Sequence, residues 1–318
     1  MLGVLTGKRS MYALLALLSV VLCGRANAAV CAGADPAALS WLDKMSRSLQ
    51  QVSYHGVVTL QRGDDMQVMQ VSHFVENGVS SERLTQLTGQ GAQIERSDHP
   101  LECVHPGHKL LQVGEDLQAG RCGIAEHYRF SVGDGERVAG RNAVRIRIQP
   151  LDMYRFGYVM ELDRETGLLL KTETVGRGDK VLEKFQFANL SYTARIPEGT
   201  EVNLIHEAEH PHPQAPTVSS SMTRAWTVGW VPRGFTLTDT PVGVSGRRTY
   251  TDGLAVFSVF LEDLGREIRP GEGLVRSGGT TSYTRGMSLT GQPVLVTVIG
   301  EVPVNTARMV ADSLGWTP

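Results

Sequence analysis

Histidine and cysteine are the residues of this chain whose spacing could support chemistry. His99, His105 and His108 surround Cys103, and His206, His210 and His212 form a second group. A zinc site needs deprotonated ligands converging at about 2 Å. Pro100 and Pro106 break the first group into turns, so it reads as loop histidines beside a disulfide. The second group lies in a Pro- and Ser-rich stretch and reads as exposed side chains that gain charge near pH 6. Carboxylates pair at Asp64 and Asp65, Glu161 and Asp163, and Asp263 and Glu267. General acid–base work requires burial or coupling that drives two pKa values apart. By turns and on alternating strands, these pairs read as surface charge. The chain contains no G-x-S-x-G elbow, no phosphate-binding G-x-x-x-x-G-K-[ST] loop and no H-E-x-x-H helix. The expectation is a binding protein with no catalytic residue, metal or cofactor.

The amino terminus reads as an export signal. Lys8 and Arg9 precede an apolar run over 11–23, shorter than the roughly 20 residues of a membrane span. Ala26, Asn27 and Ala28 fit the small-x-small cleavage rule, which puts the cut between Ala28 and Ala29. Export to an oxidising compartment permits disulfides. Cys31, Cys103 and Cys122 remain after cleavage. The expected bridge is Cys103–Cys122, worth about 3 kcal/mol on a chain-entropy account. Cys31 is then free or pairs between chains. The net charge of -2, mixed in sign with no basic block, argues against a nucleic-acid partner.

The elements that would position these residues are mostly strands. Asp35 and Pro36 open a helix whose Leu39, Leu42, Met45 and Leu49 make one apolar stripe. Strand-like segments follow at 54–61, 66–75, 80–88 and 94–105, then at 128–132 and 144–148, where Val144, Ile146 and Ile148 alternate with Arg145, Arg147 and Gln149. Further strands are expected at 156–162, 168–175 and 181–190. Sequential antiparallel strands with one helix predict a strongly curved, unclosed sheet whose apolar face is filled by its own helix or open to a lipid-sized ligand. Met66, Val68 and Met69 put apolar groups on both faces of one strand, and Phe156, Tyr158, Met160, Phe185 and Phe187 add large adaptable surface.

Residues 206–222 have linker composition. Beyond them, 226–237 reads as a strand or loop pair turned at Pro232-Arg233-Gly234. Residues 254–261 and 294–299 are strands, the first of them preceded by the turn Thr251-Asp252-Gly253, and Asn305 is placed to cap a terminal helix carrying Ala307, Val310, Ala311 and Leu314. The fold class expected is mainly β (α+β): an unclosed half-barrel with a helix, then a smaller antiparallel β domain.

Several segments resemble the MucB/RseB family of periplasmic negative regulators of sigma-E-type signalling. They are Ser53-Tyr54-His55-Gly56, Glu82-Arg83-Leu84, Tyr154-Arg155-Phe156-Gly157-Tyr158, the run 162–171 (LDRETGLLLK), Trp230-Val231-Pro232-Arg233-Gly234-Phe235, and the stretches 247–262 and 293–307. The resemblance implies a signal peptide over 1–28, a lipid-sensing half-barrel like that of lipoprotein carriers over 29–205, a linker over 206–222, and an anti-sigma-factor-binding domain over 223–318. It implies binding of the periplasmic part of a membrane-anchored anti-sigma factor of the RseA or MucA type, protection of that partner from site-1 proteolysis, release by lipid or lipopolysaccharide, and a capacity to form a homodimer. Met66, Val68, Met69, Phe156, Tyr158, Met160, Phe185 and Phe187 are then the candidate lipid-facing set. Trp226, Trp230, Phe235, Tyr250 and Phe257 are the candidate partner-binding set. A periplasmic lipoprotein or lipid carrier of the same half-barrel type is the alternative, and a hydrolase with an unrecognised site is a third.

Overall fold

The computed structural model describes residues 34–76, 79–89, 93–97, 122–192, 225–238, 246–264 and 271–317. Helix α1 (Pro36–Gln51) starts as its sequence dictates: Asp35 is the N-cap, its Oδ1 accepts from the Ala37 N–H at 2.9 Å, and proline fills the first turn. Strands β1 (Tyr54–Arg62), β2 (Asp65–Glu76), β3 (Val79–Gln86) and β4 (Gln93–Ser97) form a meander. Strands β5 (Tyr128–Val138), β6 (Arg141–Pro150), β7 (Gly157–Asp163), β8 (Leu169–Val175) and β9 (Val181–Tyr192) form another. Antiparallel pairing of β1 with β9 joins them into a nine-stranded sheet of order β4-β3-β2-β1-β9-β8-β7-β6-β5. Its edges, β4 and β5, do not pair, so the sheet is unclosed. Gly56 sits at the β1–β9 seam beside a register shift, where a Cβ would lie 2.2 Å from the Asn189 carbonyl oxygen.

One face of this sheet carries the two larger apolar clusters of the first part. Cross-strand partners Ile146, Met160, Thr172, Phe185, Leu60 and Gln67 run across it in one row. At the β5–β7 end the face is covered by α1, whose Ala38, Leu39, Leu42 and Met45 pack with Tyr128, Phe130, Val144, Ile146, Ile148, Met160 and Leu162. At the β1–β9 end, Tyr54, Val58, Phe187 and Leu168 form a smaller cluster with Met69, Val71 and Phe185 at its margin.

The second part holds β10 (Trp226–Val228), β11 (Thr236–Leu237), β12 (Arg247–Thr251), β13 (Val256–Asp263), β14 (Glu272–Ser277), β15 (Thr280–Leu289), β16 (Gln292–Gly300), helix α2 (Val304–Asp312) and β17 (Leu314–Trp316). The six-stranded sheet has order β11-β12-β13-β16-β15-β14, and β10 pairs with β17 in a separate ribbon. Two features differ from what the sequence predicts. The segments around Pro232-Arg233-Gly234 do not pair with each other, since β10 takes the chain's last strand and β11 takes β12. Asn305 does not cap α2: Pro303 occupies the N-cap with no side-chain hydrogen bond. Val259, Leu261, Val294, Val296, Val298, Ala307, Val310 and Ala311 fill a core between sheet and helix. Among the described residues no helix is long and apolar enough to cross a membrane.

Candidate functional site

Three of the segments singled out in the sequence converge where the two sheets meet. After Pro150 the chain bends through 151–155, where Asp152 Oδ1 accepts the Tyr154 N–H at 2.9 Å and shapes the turn. The bend aims Arg155 into the second part. Its Nε donates to Asp252 Oδ2 at 2.7 Å, and its two terminal nitrogens donate to Asp152 and to the Arg233 carbonyl oxygen. The guanidinium lies 5.0 Å from the Phe235 ring centroid and 5.7 Å from that of Tyr128. Neither the Arg155 nor the Asp252 side chain is exposed.

Asp252 is equally committed. Its Oδ2 also accepts the Tyr128 hydroxyl at 2.8 Å, and its Oδ1 accepts the Leu254 and Ala255 N–H groups, each at 2.9 Å. Those bonds fill the roughly four acceptor sites of a carboxylate. The sequence makes this turn cheaply: Gly253 takes φ 103, and Thr251 Oγ1 accepts the Gly253 N–H while donating to the Ala255 carbonyl. The turn delivers Leu254 into the core beneath α1, beside Ile124 and Ala125.

Around this pair the contacts continue. Tyr154 meets Trp230 edge to face at 5.2 Å. From α2, Asn305 Nδ2 donates to the Met153 carbonyl at 3.3 Å and Thr306 Oγ1 to the Tyr154 carbonyl at 3.0 Å. Gly234, at φ 91, lets its backbone lie against His127, where a Cβ would fall 2.1 Å from Nε2. His127 is held below the usual histidine range by burial first and by the Arg155 charge second. At a second contact, the β14–β15 turn brings Gly278 and Gly279 against Arg62, Glu183 and Thr174. Arg62 Nε pairs with Glu183 Oε2 at 3.0 Å. Nearby Glu301 is raised above the usual carboxylate range by burial and then by the Glu183 charge.

The sequence-derived candidates fall in different places. Met69, Phe185 and Phe187 come together on the apolar face, with Phe185 and Phe187 5.8 Å apart edge to face. Tyr158 and Met160 share that face but pack in the cluster under α1. Phe156 is buried just before β7. Met66 and Val68 alternate with Met69 along β2 and point to the opposite face, where Met66 is 57% exposed. Trp226, Phe235, Tyr250 and Phe257 are all buried in the core of the second part, and Trp230 packs against that core from the junction. Cys122 is disulfide-bonded, whereas Ala28, Ala29, Cys31, Cys103 and the linker histidines lie outside the described residues. Among the described residues no group of histidine, cysteine and carboxylate side chains could hold a metal ion.

Sequence reasoning missed Arg155, Asp252, Tyr128, Thr306 and the docking role of Asn305. Arg155 carried one signal: a lone charge between Tyr154 and Phe156, in a run of aromatics that must be buried. Asp252 carried none, because a turn alone explains Asp beside Gly.

Family models of the MucB/RseB N-terminal domain and the MucB/RseB C-terminal domain match residues 37–205 and 220–315. The sigma factor AlgU regulatory protein MucB of Pseudomonas aeruginosa is 32% identical over 295 residues, covering 87% of this chain and 90% of that protein. The solved Pseudomonas aeruginosa MucA/MucB complex aligns with TM-score 0.69 at 30% identity, covering 89% of this chain and 99% of the matched one. A crystal structure of MucB aligns with TM-score 0.58 at the same identity and coverage. With both parts of the chain matched in order, this protein belongs to the MucB/RseB family.

Proposed function

We propose that this chain is a periplasmic negative regulator of a sigma-E-type envelope stress response. It binds the periplasmic part of a membrane-anchored anti-sigma factor of the MucA or RseA type, shields that partner from site-1 proteolysis, and releases it when a lipid such as lipopolysaccharide occupies the apolar face of the large sheet. The observation that carries this reading is the likeness, over most of both chains, to a MucB solved together with MucA. The chain is exported, cut between Ala28 and Ala29, and organised as domains over 29–205 and 223–318 with a linker over 206–222. Met69, Phe185 and Phe187 are the lipid-facing residues best grouped for an acyl chain. Non-reducing peptide mapping is expected to recover a Cys103–Cys122 bridge; Cys122 joined to Cys31 instead would refute that pairing.

A lipid carrier built on the large sheet alone fits less well, because Leu254 and Asp252 of the second part complete the core and the polar contacts of the first. The test is co-purification of the mature chain with the periplasmic segment of the MucA-like protein from its own organism, followed by site-1 protease digestion with and without lipopolysaccharide. Stable co-elution, protection, and loss of both on adding lipopolysaccharide are expected. No co-elution at tens of micromolar would overturn the reading.

A further inference from the structure

We propose that Arg155 and Asp252 are positioning residues that fix the angle between the two sheets, and that the anti-sigma factor's periplasmic segment is bound only at that angle. The second half rests on the proposed function; the first stands on geometry alone.

The Arg155–Asp252 pair is closed off from solvent. Both side chains are fully buried, and Asp252 uses both oxygens. Contacts of this kind are directional: a planar guanidinium donating to a carboxylate, a second carboxylate and a carbonyl permits one orientation of the groups that hold it. The three anchors come from three places. Asp152 belongs to the first sheet's own bend, Arg233 to the turn before β11, and Asp252 to the turn before β13. Arg155 therefore ties the first sheet to two separate loops of the second part. Thr306 and Asn305 add a third tie, from the start of α2 to the carbonyls of Tyr154 and Met153. Sliding one sheet on the other by a few ångströms would strand a buried charge, so the arrangement has discrete rather than graded states.

The same segment reaches the apolar face. Tyr158, three residues beyond Arg155, shares the face of Met160, and its hydroxyl is buried with no hydrogen-bond partner among the described residues. Its surroundings include the Asp252 and Glu301 charges of the second part. A molecule entering the apolar face and moving Tyr158 would thus act on the bend that aims Arg155.

The experiment uses the mature chain and two variants. Asp252→Asn removes the charge but keeps the shape, and Thr306→Val removes one tie and leaves the Arg155–Asp252 pair intact. Small-angle scattering extrapolated to zero concentration reads the angle. Calorimetry against the periplasmic segment of the MucA-like protein reads the affinity, and far-UV circular dichroism checks both sheets. Asp252→Asn is expected to expand the molecule and weaken binding roughly 5- to 150-fold, the range of ordinary coupling between sites. Thr306→Val should shift both in the same direction by less. Purified lipopolysaccharide should expand the wild type and leave Asp252→Asn unchanged. Expansion without loss of affinity, loss of affinity without expansion, no change in either, or an equal lipopolysaccharide response in both proteins would each overturn the proposal. If Asp252→Asn fails to fold, Thr306→Val and Tyr128→Phe decide by the same outcomes. If the wild type binds no segment at all, the proposed function fails and takes the second half with it. Scattering still decides whether the pair sets the angle.

Discussion

Glu161 shows how far a single charge departs from its sequence appearance. On a strand that alternates, beside Asp163, it reads as surface; yet it is 0% exposed and Asp163 only 1%. The β5 strand explains this. Its register slips between Asp134 and Arg137, and Gly135 there lies so close that a Cβ would be 2.4 Å from Glu161 Oε2. The slip lets the Glu136 N–H donate to Glu161 at 3.1 Å, while Arg145 Nε donates at 2.7 Å. Neighbouring charges settle around them: Glu136 is held below the usual range chiefly by its hydrogen bond from Lys171. For Asp163, burial pushes the pKa up, but the Tyr192 hydroxyl, the Glu165 N–H and Arg141 together bring it below the usual range. Glu161→Ala takes the acceptor from the Glu136 N–H and from Arg145 Nε, while Arg145, 31% exposed, keeps Glu136 as a partner, so it is expected to lose about 1–3 kcal/mol in urea titration. A loss under about 1 kcal/mol, the size of an exposed pair, would mean water reaches Glu161.

Elements were legible where burial is one-sided and long. Val144, Ile146 and Ile148 on β6 alternate cleanly because one face meets α1 and the other does not. Helix α1 announced itself by cap and stripe, and Asp35 does more than the cap rule requires, since its Oδ2 also accepts the Val132 N–H at 3.3 Å. Asp35→Ala should cost about 1–2 kcal/mol in thermal or urea unfolding, the upper part of the capping range, because a strand N–H loses its partner too. Asp35→Asn keeps a single acceptor oxygen, so it should recover the bond from Ala37 and not the one from Val132, about half of the loss; an Asn variant as unstable as the alanine one would mean that the cap bond contributes little. Strand β14 left no signal, because all six of its residues are exposed and only pairing with β15 holds it extended. The short β17 was hidden for the opposite reason: Leu314 continues the spacing of Ala307, Val310 and Ala311, although it sits in a strand paired with β10. Asn305 has the chemistry of a cap, but a carbonyl of the bend at 151–155 competes for its amide and wins. Local rules fail here at positions where another part of the chain supplies the better partner.

At the scale of the whole molecule, the junction could not be read from the chain because its central contact spans 97 residues and joins one of 31 Lys+Arg to one of 33 Asp+Glu. Two titrating groups there act in opposite senses. His127 is partly buried and faces Arg155 and Arg233, with Glu126 and Asp252 opposing them; burial leads, and its pKa lies below 6.5. A depressed histidine binds fewer protons folded than unfolded, so its contribution is present above about 6.5 and is lost as pH falls through the folded value. Glu301, desolvated and facing Glu183 and Asp252 with Arg62 in partial compensation, is raised above 4.5. Its contribution is present below 4.5 and is lost as pH rises through its folded value. His127→Gln should therefore flatten the loss of stability as pH falls below about 6.5, while changing little in slope above it. Glu301→Gln should gain on the wild type at pH 7–8 and show no gain near pH 4, where the native carboxyl is already protonated. Urea midpoints measured across that range for both variants separate the two effects by sign, since His127→Gln acts on the stability lost as pH falls and Glu301→Gln on the stability lost as pH rises. If Glu301→Gln gained equally at pH 4 and pH 8, its effect would come from packing rather than charge, and the Glu301–Glu183 repulsion would have no part in how tightly the two sheets are held.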